Sequence, residues 1–308
     1  MGFFLSTFSG ANESIAAGAQ EVALRGRRFL TEADIERHIS NGYGQGAGAS
    51  YLPWLRVQDV PSHGHSRKVQ GVKVDRLHHL FSNLEHGYFL VCEFSEDIVD
   101  IREQYPLLPR ENTQAIASSL GLKHPRYRGT SVSTVMTTDF VLTTKRIDGS
   151  YKSYARTIKY KKDLEGEGAR RTLEKLEIEK IFWEAQGVDW TIVTEEEFSM
   201  PLVHNLGILR KFSHISRSLM QPDLEEEFLQ VLGSLKNFPI TTAQALKKIS
   251  SQLYISYQDS RALYHHLIWN KRISLDLAAS QLQMGMPLPD FDIVLESSAS
   301  VRVAEGAR

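Results

Sequence analysis

Residues 135–162 read VMTTDFVLTTKRIDGSYKSYARTIKYKK, and the reading of this stretch decides the fold. Asp139 stands inside an apolar run, and a turn follows at Asp148 and Gly149. A second run carries Arg156, Thr157 and Lys159, with Lys161 and Lys162 just beyond. Two strands joined by a hairpin set the acid and the lysine side by side on a sheet. Alternation in the second strand puts Tyr154, Arg156, Ile158 and Tyr160 on one face, and Ala155, Thr157 and Lys159 on the other. An aspartate beside a lysine suits metal-dependent phosphodiester hydrolysis. It equally suits a solvated hairpin with charges at its surface, so the rest of the chain must arbitrate.

Length and composition bound the answer. The 308 residues suit one large or two medium domains, and the 42% apolar and 24% charged content is that of an ordinary globular protein. With a formal net charge of −1, no global field would hold a nucleic acid, so any such contact must come from local basic patches. One cysteine, Cys92, excludes an internal disulfide and a cysteine-based zinc site, and suits a reducing cytoplasm. No apolar run reaches the length of about 18 residues that a membrane span needs. The N-terminal MGFFLSTFSG lacks the basic start of a signal peptide; Met1-Gly2 with Ser6 fits the myristoylation pattern loosely.

Outward from the hairpin, the pattern predicts helices at 31–40, with Thr31 as N-cap, and at 112–120 and 169–186. Residues 82–93 form another, with Ser82 and Glu85 spaced as a capping box. That box is one explanation of Glu85. Residues 97–105 and 188–194 read as strands, with Ile98 and Ile101 buried. The order α, β, β, β, α, β suits one sheet with helices packed on it. The glycine-rich NGYGQGAGAS at 41–50 reads as a flexible connector rather than a phosphate cradle, because it has no P-loop lysine. The segment 51–60 is a strand or a packing segment. In 61–76, a hairpin or a phosphate-facing patch of Arg67, Lys68, Lys73 and Arg76 are both open. His63, His65, His78 and His79 fit no zinc spacing and are read as surface or structural residues. Lys123, Arg126 and Arg128 make a second basic patch in the loop KHPRYRGTS. Beyond residue 200, three helical stretches at 223–236, 241–251 and 257–269 precede the short strand-like segments KRISLDL and FDIVL, a winged-helix layout.

Several long ordered segments resemble one family. They are GQGAGASYLPWLRVQDVPS, RLHHLFSNLE, DIREQYPLLP, LKHPRYRGT, VMTTDF and RTLEKLEIEKIFW, spanning roughly residues 35–200. Together they resemble the TnsA family, the endonuclease subunit of a heteromeric bacterial DNA transposase. The resemblance implies an α/β, restriction-endonuclease-like mixed sheet flanked by helices, with a C-terminal winged-helix-like domain. The expected divisions are an arm at 1–30, a catalytic domain at 31–200, the C-terminal domain at 201–295 and a disordered tail at 296–308.

The resemblance also implies an activity and a site. TnsA-type proteins cut double-stranded DNA at the 5′ ends of the transposon. A TnsB-type transposase cuts and joins the 3′ ends, and a TnsC-type ATP-dependent regulator meets the TnsA C-terminal region. The protein would work in the bacterial cytoplasm, on the nucleoid, and not at a membrane. The family's glutamate falls on Glu85 in SNLE, its aspartate on Asp139 in TTDF and its lysine on Lys159. Glu85 and Asp139 would hold Mg²⁺ (Mn²⁺ can substitute), and Lys159 would stabilise the phosphate or position water. Where the family has glutamine this chain has Thr157, whose hydroxyl would ligate weakly or through water; Tyr160 replaces a proline. Arg156, Lys161, Lys162, Lys123, Arg126 and Arg128 are candidates to steer the DNA backbone. The departure at Thr157 opens a rival reading, a catalytically impaired assembly factor bridging transposase and regulator. A third makes the C-terminal module a DNA reader, although the large apolar residues around Arg261, Lys271 and Arg272 favour protein docking.

Overall fold

The computed structural model describes residues 29–60 and 65–294. The myristoylation pattern, His63, the 296–308 tail and most of the N-terminal arm lie outside these residues. In chain order, α1 (Glu32–Ser40) precedes the hairpin of β1 (Arg67–Gln70) and β2 (Leu77–Leu80). Then follow α2 (Asn83–Phe94), β3 (Ile98–Pro106), α3 (Arg110–Ser119), β4 (Thr137–Lys145), β5 (Tyr151–Ile158), α4 (Arg170–Glu184) and β6 (Asp189–Val193). The second half is α5 (Met200–Leu209), α6 (Pro222–Ser234), α7 (Thr242–Gln252), α8 (Tyr257–Trp269) and the strand pair β7 (Ile273–Ser274) and β8 (Asp292–Ile293).

The central sheet has strand order β3-β4-β5-β6. Its first two pairings are antiparallel and β5 with β6 is parallel, so the chain must cross over between them, and α4 is that crossover. Alternation decides what each face buries. Phe140, Leu142 and Ile158 pack with Leu84, Phe89 and Cys92 of α2 on one face. Val141 and Ala155 pack with Ala117 of α3 and with Ile178, Phe182 and Trp183 of α4 on the other. The result is the three-layer, restriction-endonuclease-like arrangement that the resemblance implies.

Several expectations change. Of the two readings of residues 51–60, the packing segment holds and the strand does not: Tyr51 and Trp54 are buried anchors. The glycine-rich segment is not a loose connector. Gly42, Gly44, Gly46 and Gly48 all take positive φ, and a Cβ on Gly44 would lie 2.2 Å from Pro106 Cγ. Only glycine permits that approach of the loop to β3. The packed body also reaches back to Phe29, which is 2% exposed and stacks on Trp54 at 5.5 Å, inside the stretch expected to be an arm. Ile101 is fully buried, as expected, whereas Ile98 is half-buried.

α2 belongs to two cores. Leu84, Phe89 and Cys92 face the sheet, whereas Leu90, Val91 and Phe94 join the second-half core with Leu206, Leu209, Leu263 and Leu267. Glu93 of the same helix is wholly buried; Arg210 donates to it, and the Val72 N–H reaches it at 2.6 Å. Lys271, after α8, donates to the Phe94 carbonyl at 2.6 Å.

Arg76 is not a phosphate contact. It is buried and donates to Glu103, which also holds His78 at 2.9 Å and the His79 N–H at 3.0 Å. Burial alone would push the Glu103 carboxyl up; hydrogen bonds from Arg76 and His78 outweigh it and bring the group down to about 2. A depressed carboxylate contributes stability above its unfolded value near 4.5, and that contribution is lost as pH falls from there through about 2. Glu103→Gln is therefore expected to lose about 3–5 kcal/mol at neutral pH, because the Arg76 charge stays buried. Its further loss between pH 4.5 and 2 should be shallower than in wild type. Urea unfolding across pH checks both, and an unchanged acid slope would place its origin elsewhere.

Candidate active site

The site forms where the β4–β5 ladder opens. Backbone pairing runs from Lys145 and Tyr151 down to Phe140 and Arg156 and then stops. At the next step the Asp139 carboxylate takes the place of a backbone acceptor: its Oδ2 receives the Ile158 N–H at 2.7 Å. The same oxygen receives the Lys159 ammonium at 2.9 Å. Lys159 also donates to the Ile158 carbonyl at 2.8 Å, and its own N–H continues the parallel ladder to Val193. The acid and the lysine are thus fixed on the separating ends of two strands, 14% and 29% exposed. Burial works against the Lys159 charge, but Asp139, Glu179 and Glu85 outweigh it and hold the ammonium above its ordinary value.

Glu85 approaches from the N-terminus of α2. Ser82 caps the helix, accepting the Glu85 N–H at 3.0 Å. The Glu85 carboxylate reaches past the expected capping-box partner to the Phe81 N–H at 2.9 Å, and accepts the Ser82 hydroxyl at 3.1 Å. Burial and the Asp139 charge push this carboxyl up to about 8. The capping geometry and the approach to Asp139 coexist in one side chain.

A third carboxylate, Glu179 on α4, escaped the sequence reading. It is 4% exposed, and burial pushes it up to about 7, against the pull of Thr157 and Thr138. Its Oε1 accepts the Thr157 hydroxyl, the Thr138 hydroxyl at 2.7 Å and the Trp190 indole N–H at 3.1 Å. Trp183 in turn donates to Thr138 at 2.7 Å. The signal lay in α4 itself. Glu179 falls on the helical stripe of Leu176, Phe182 and Trp183, and an acid on an apolar stripe needs partners it cannot find on its own helix.

Thr157 is 2% exposed and its hydroxyl is spent on Glu179. It lies on the α4 face of β5, as alternation predicts. Arg156 is on the opposite face, bound to the Asp189 carboxylate at 2.7 Å. Lys161 pairs with Glu196 at 2.7 Å, and the Lys162 ammonium lies 5.4 Å from the Tyr160 ring centre. Lys123 and Arg126 line a separate cleft of about 780 Å³ beside Arg170 and Arg171. Arg128 is exposed in the same loop.

Three carboxylates, Glu85, Asp139 and Glu179, thus act on a single lysine, and Asp139 acts on each of the other two. Oxygen donors with excess negative charge fit a hard divalent cation. Among the described residues, no three acidic, histidine or cysteine side chains converge closely enough to cage an ion. Each carboxylate here is held by protein donors instead.

Comparison with known proteins now bears on this geometry. A family described as TnsA-like endonuclease N terminal matches residues 95–195, and one described as TnsA endonuclease C terminal matches residues 197–277. The chain is also 43% identical over 177 residues to the transposon Tn7 transposition protein TnsA of Escherichia coli. The chain belongs to the TnsA family. The aligned stretch is 58% of this chain and 62% of that relative, so less than two thirds of the relative's length is covered. Asp139, Thr157, Lys159 and Glu179 fall inside the N-terminal TnsA match, whereas Glu85 precedes it and is linked to the site by the charges of Asp139 and Lys159 acting on it.

The role of Thr157 toward Glu179 is measurable. Thr157→Val keeps the shape and removes one donor from a buried carboxylate, with an expected cost of about 1–3 kcal/mol. Thr157→Ser should recover most of it. Chemical denaturation of the metal-free variants checks this; a valine variant as stable as wild type would mean that Trp190 and Thr138 suffice.

Proposed function

We propose that this TnsA-family chain is a metal-dependent DNA endonuclease that cleaves the 5′ ends of a transposon. In this reading a TnsB-type transposase cuts and joins the 3′ ends. The observation that supports it is the Asp139–Lys159 pair at the open end of the β4–β5 ladder, flanked by two carboxylates whose charge is disfavoured without a cation.

Asp139 and Glu85 would hold Mg²⁺, or Mn²⁺ in its place, while Glu179, at the back of the site, stays engaged by Thr157, Thr138 and Trp190. Thr157 acts weakly or through water, and through its bond to Glu179. A bound divalent cation supplies Lewis acidity at the phosphate and lowers the pKa of a water molecule. The protein's own part is orientation. The Ile158 N–H fixes Asp139, and Lys159, kept charged by its acidic neighbours, neutralises the phosphate or aligns the attacking water. Attack of the water oxygen on phosphorus breaks the bond to the 3′ oxygen, leaving a 5′-phosphate and a 3′-hydroxyl. Lys123, Arg126, Arg128, Lys162, Arg156 and Lys161 are the candidate backbone contacts, the last two after release from Asp189 and Glu196.

The chain divides, in this reading, into a catalytic domain at 31–200 and a winged-helix-like domain at 201–295, with an arm and a tail outside them. The C-terminal domain, with α6, α7, α8 and the β7–β8 pair, would dock the TnsC-type ATP-dependent regulator. No helix among the described residues is long and apolar enough to cross a membrane, and we place the protein in the bacterial cytoplasm on the nucleoid.

A second reading, the catalytically impaired assembly factor, draws on Thr157, which offers no amide and whose hydroxyl is already engaged. Strand-specific nicking of transposon-end DNA with the TnsB-type partner and Mg²⁺ separates the two. Wild type should cut the 5′ strands, chelation should abolish cutting, and Asp139→Ala or Lys159→Ala should lower it by about 10²–10³ or more. Normal 3′ cutting with no 5′ cut by wild type would favour the assembly factor.

A further inference from the structure

One cationic face, on α4, has no assigned role, although it adjoins the cleft of Lys123 and Arg126. Arg171, Lys175 and Glu179 recur every four residues on α4 and therefore share a face. Each lies about 6 Å further along the helix axis than the last. Glu179 ends this row at the back of the active site. Arg171 begins it at the cleft, where its guanidinium donates to the Lys123 carbonyl at 2.7 Å and pairs with Glu174 at 2.8 Å. Lys123, Arg126 and Arg170 line the same cleft.

Lys175 stands between, and it is exposed. Burial of its stem and then the like charges of Arg171 and Lys159 hold its ammonium below the ordinary value. The charges acting on it are both positive. Arg171 is paired with Glu174 and Lys159 with Asp139, so Lys175 is the cation of this row with no ion pair among the described residues and with like charges on either side of it. Glu174 offsets Arg170 and Arg171 but not the row as a whole. The step of about 6 Å between cations is close to twice the advance from one phosphate to the next along a strand. Those charges lie about 3.4 Å apart when measured along the duplex axis.

We propose that the Arg171–Lys175 face of α4, continued by Lys123 and Arg126 across the cleft, seats the backbone phosphates of the cleaved strand beside the bond that Asp139 and Lys159 address. The proposal rests on the endonuclease reading. It adds Arg171 and Lys175 as positioning residues and gives the strand a direction, along α4 from its first turn toward Glu179. The recognition proposed is by phosphate, which positions the strand without reading its sequence.

The test is binding of the full chain to transposon-end duplex across a salt series in Ca²⁺, with wild type, Lys175→Ala, Lys175→Arg, Arg171→Ala and Asp139→Asn. Losing one phosphate contact should lower the slope of log affinity against log salt by about 1. It should weaken binding about five- to tenfold at 0.1 M salt, equally on unrelated sequences. Lys175→Arg should restore both values. Arg171→Ala should behave like Lys175→Ala, with its thermal midpoint checking that loss of the bond to Lys123 has not unfolded the loop. If wild type binds and cuts, Asp139→Asn binds without cutting, and Lys175→Ala keeps the wild-type slope and affinity, the track is overturned and the endonuclease reading stands. If wild type neither binds duplex nor cuts it, both fall together.

Discussion

The structure depends on one substitution of acceptors. Where β4 and β5 part, a side-chain carboxylate completes the ladder that a carbonyl would otherwise complete. The Ile158 N–H must be satisfied, because an unpaired buried amide costs free energy comparable to a lost hydrogen bond. Asp139 satisfies it and is thereby held in a single place, with Lys159 on the same oxygen. The sheet needs this carboxylate for its own integrity. Any chemistry done there uses a group whose position has already been settled by folding.

Around that fixed point the surrounding carboxylates are kept reluctant to ionise. Glu85 is anchored by its own helix start, and Glu179 by two threonines and a tryptophan. Neither can swing far without abandoning its donors. The absence of a ready-made cage among the described residues follows from this: the carboxylates are parked on protein donors rather than pointed at a common centre. Thr157 belongs to that parking arrangement. Its hydroxyl donates to Glu179 and accepts the Trp190 indole N–H at 3.3 Å, so both sides of it are already engaged.

Much of this was legible in the sequence, for definite reasons. Hairpin and strand alternation put Asp139 and Lys159 together, because a period of two leaves no choice of face. The capping spacing located α2 and hence Glu85. The order of elements pointed to one sheet with helices packed on it, the TnsA resemblance implied its mixed pairing, and that resemblance is upheld by the family matches at 95–195 and 197–277. What escaped was tertiary. Glu179 comes to the site through a helix crossover whose landing position no local pattern encodes. Arg76 looked like a surface cation until Glu103, from a different strand, was brought against it. The glycines at 41–50 read as slack because their need for positive φ is visible only once Pro106 of β3 closes on them.

α2 carries a consequence for how such a protein can change over generations. One helix lends Leu84 and Phe89 to the sheet and Leu90 and Phe94 to the second-half core, with Glu93 buried against Arg210 between them. The two halves therefore do not behave as interchangeable modules. A lineage could not graft a foreign C-terminal half onto this sheet by joining chains near residue 200. It would also have to rewrite Leu90, Val91 and Phe94 of α2 without disturbing the turn that presents Glu85. Inheritance of the pair as a unit is built into a single helix.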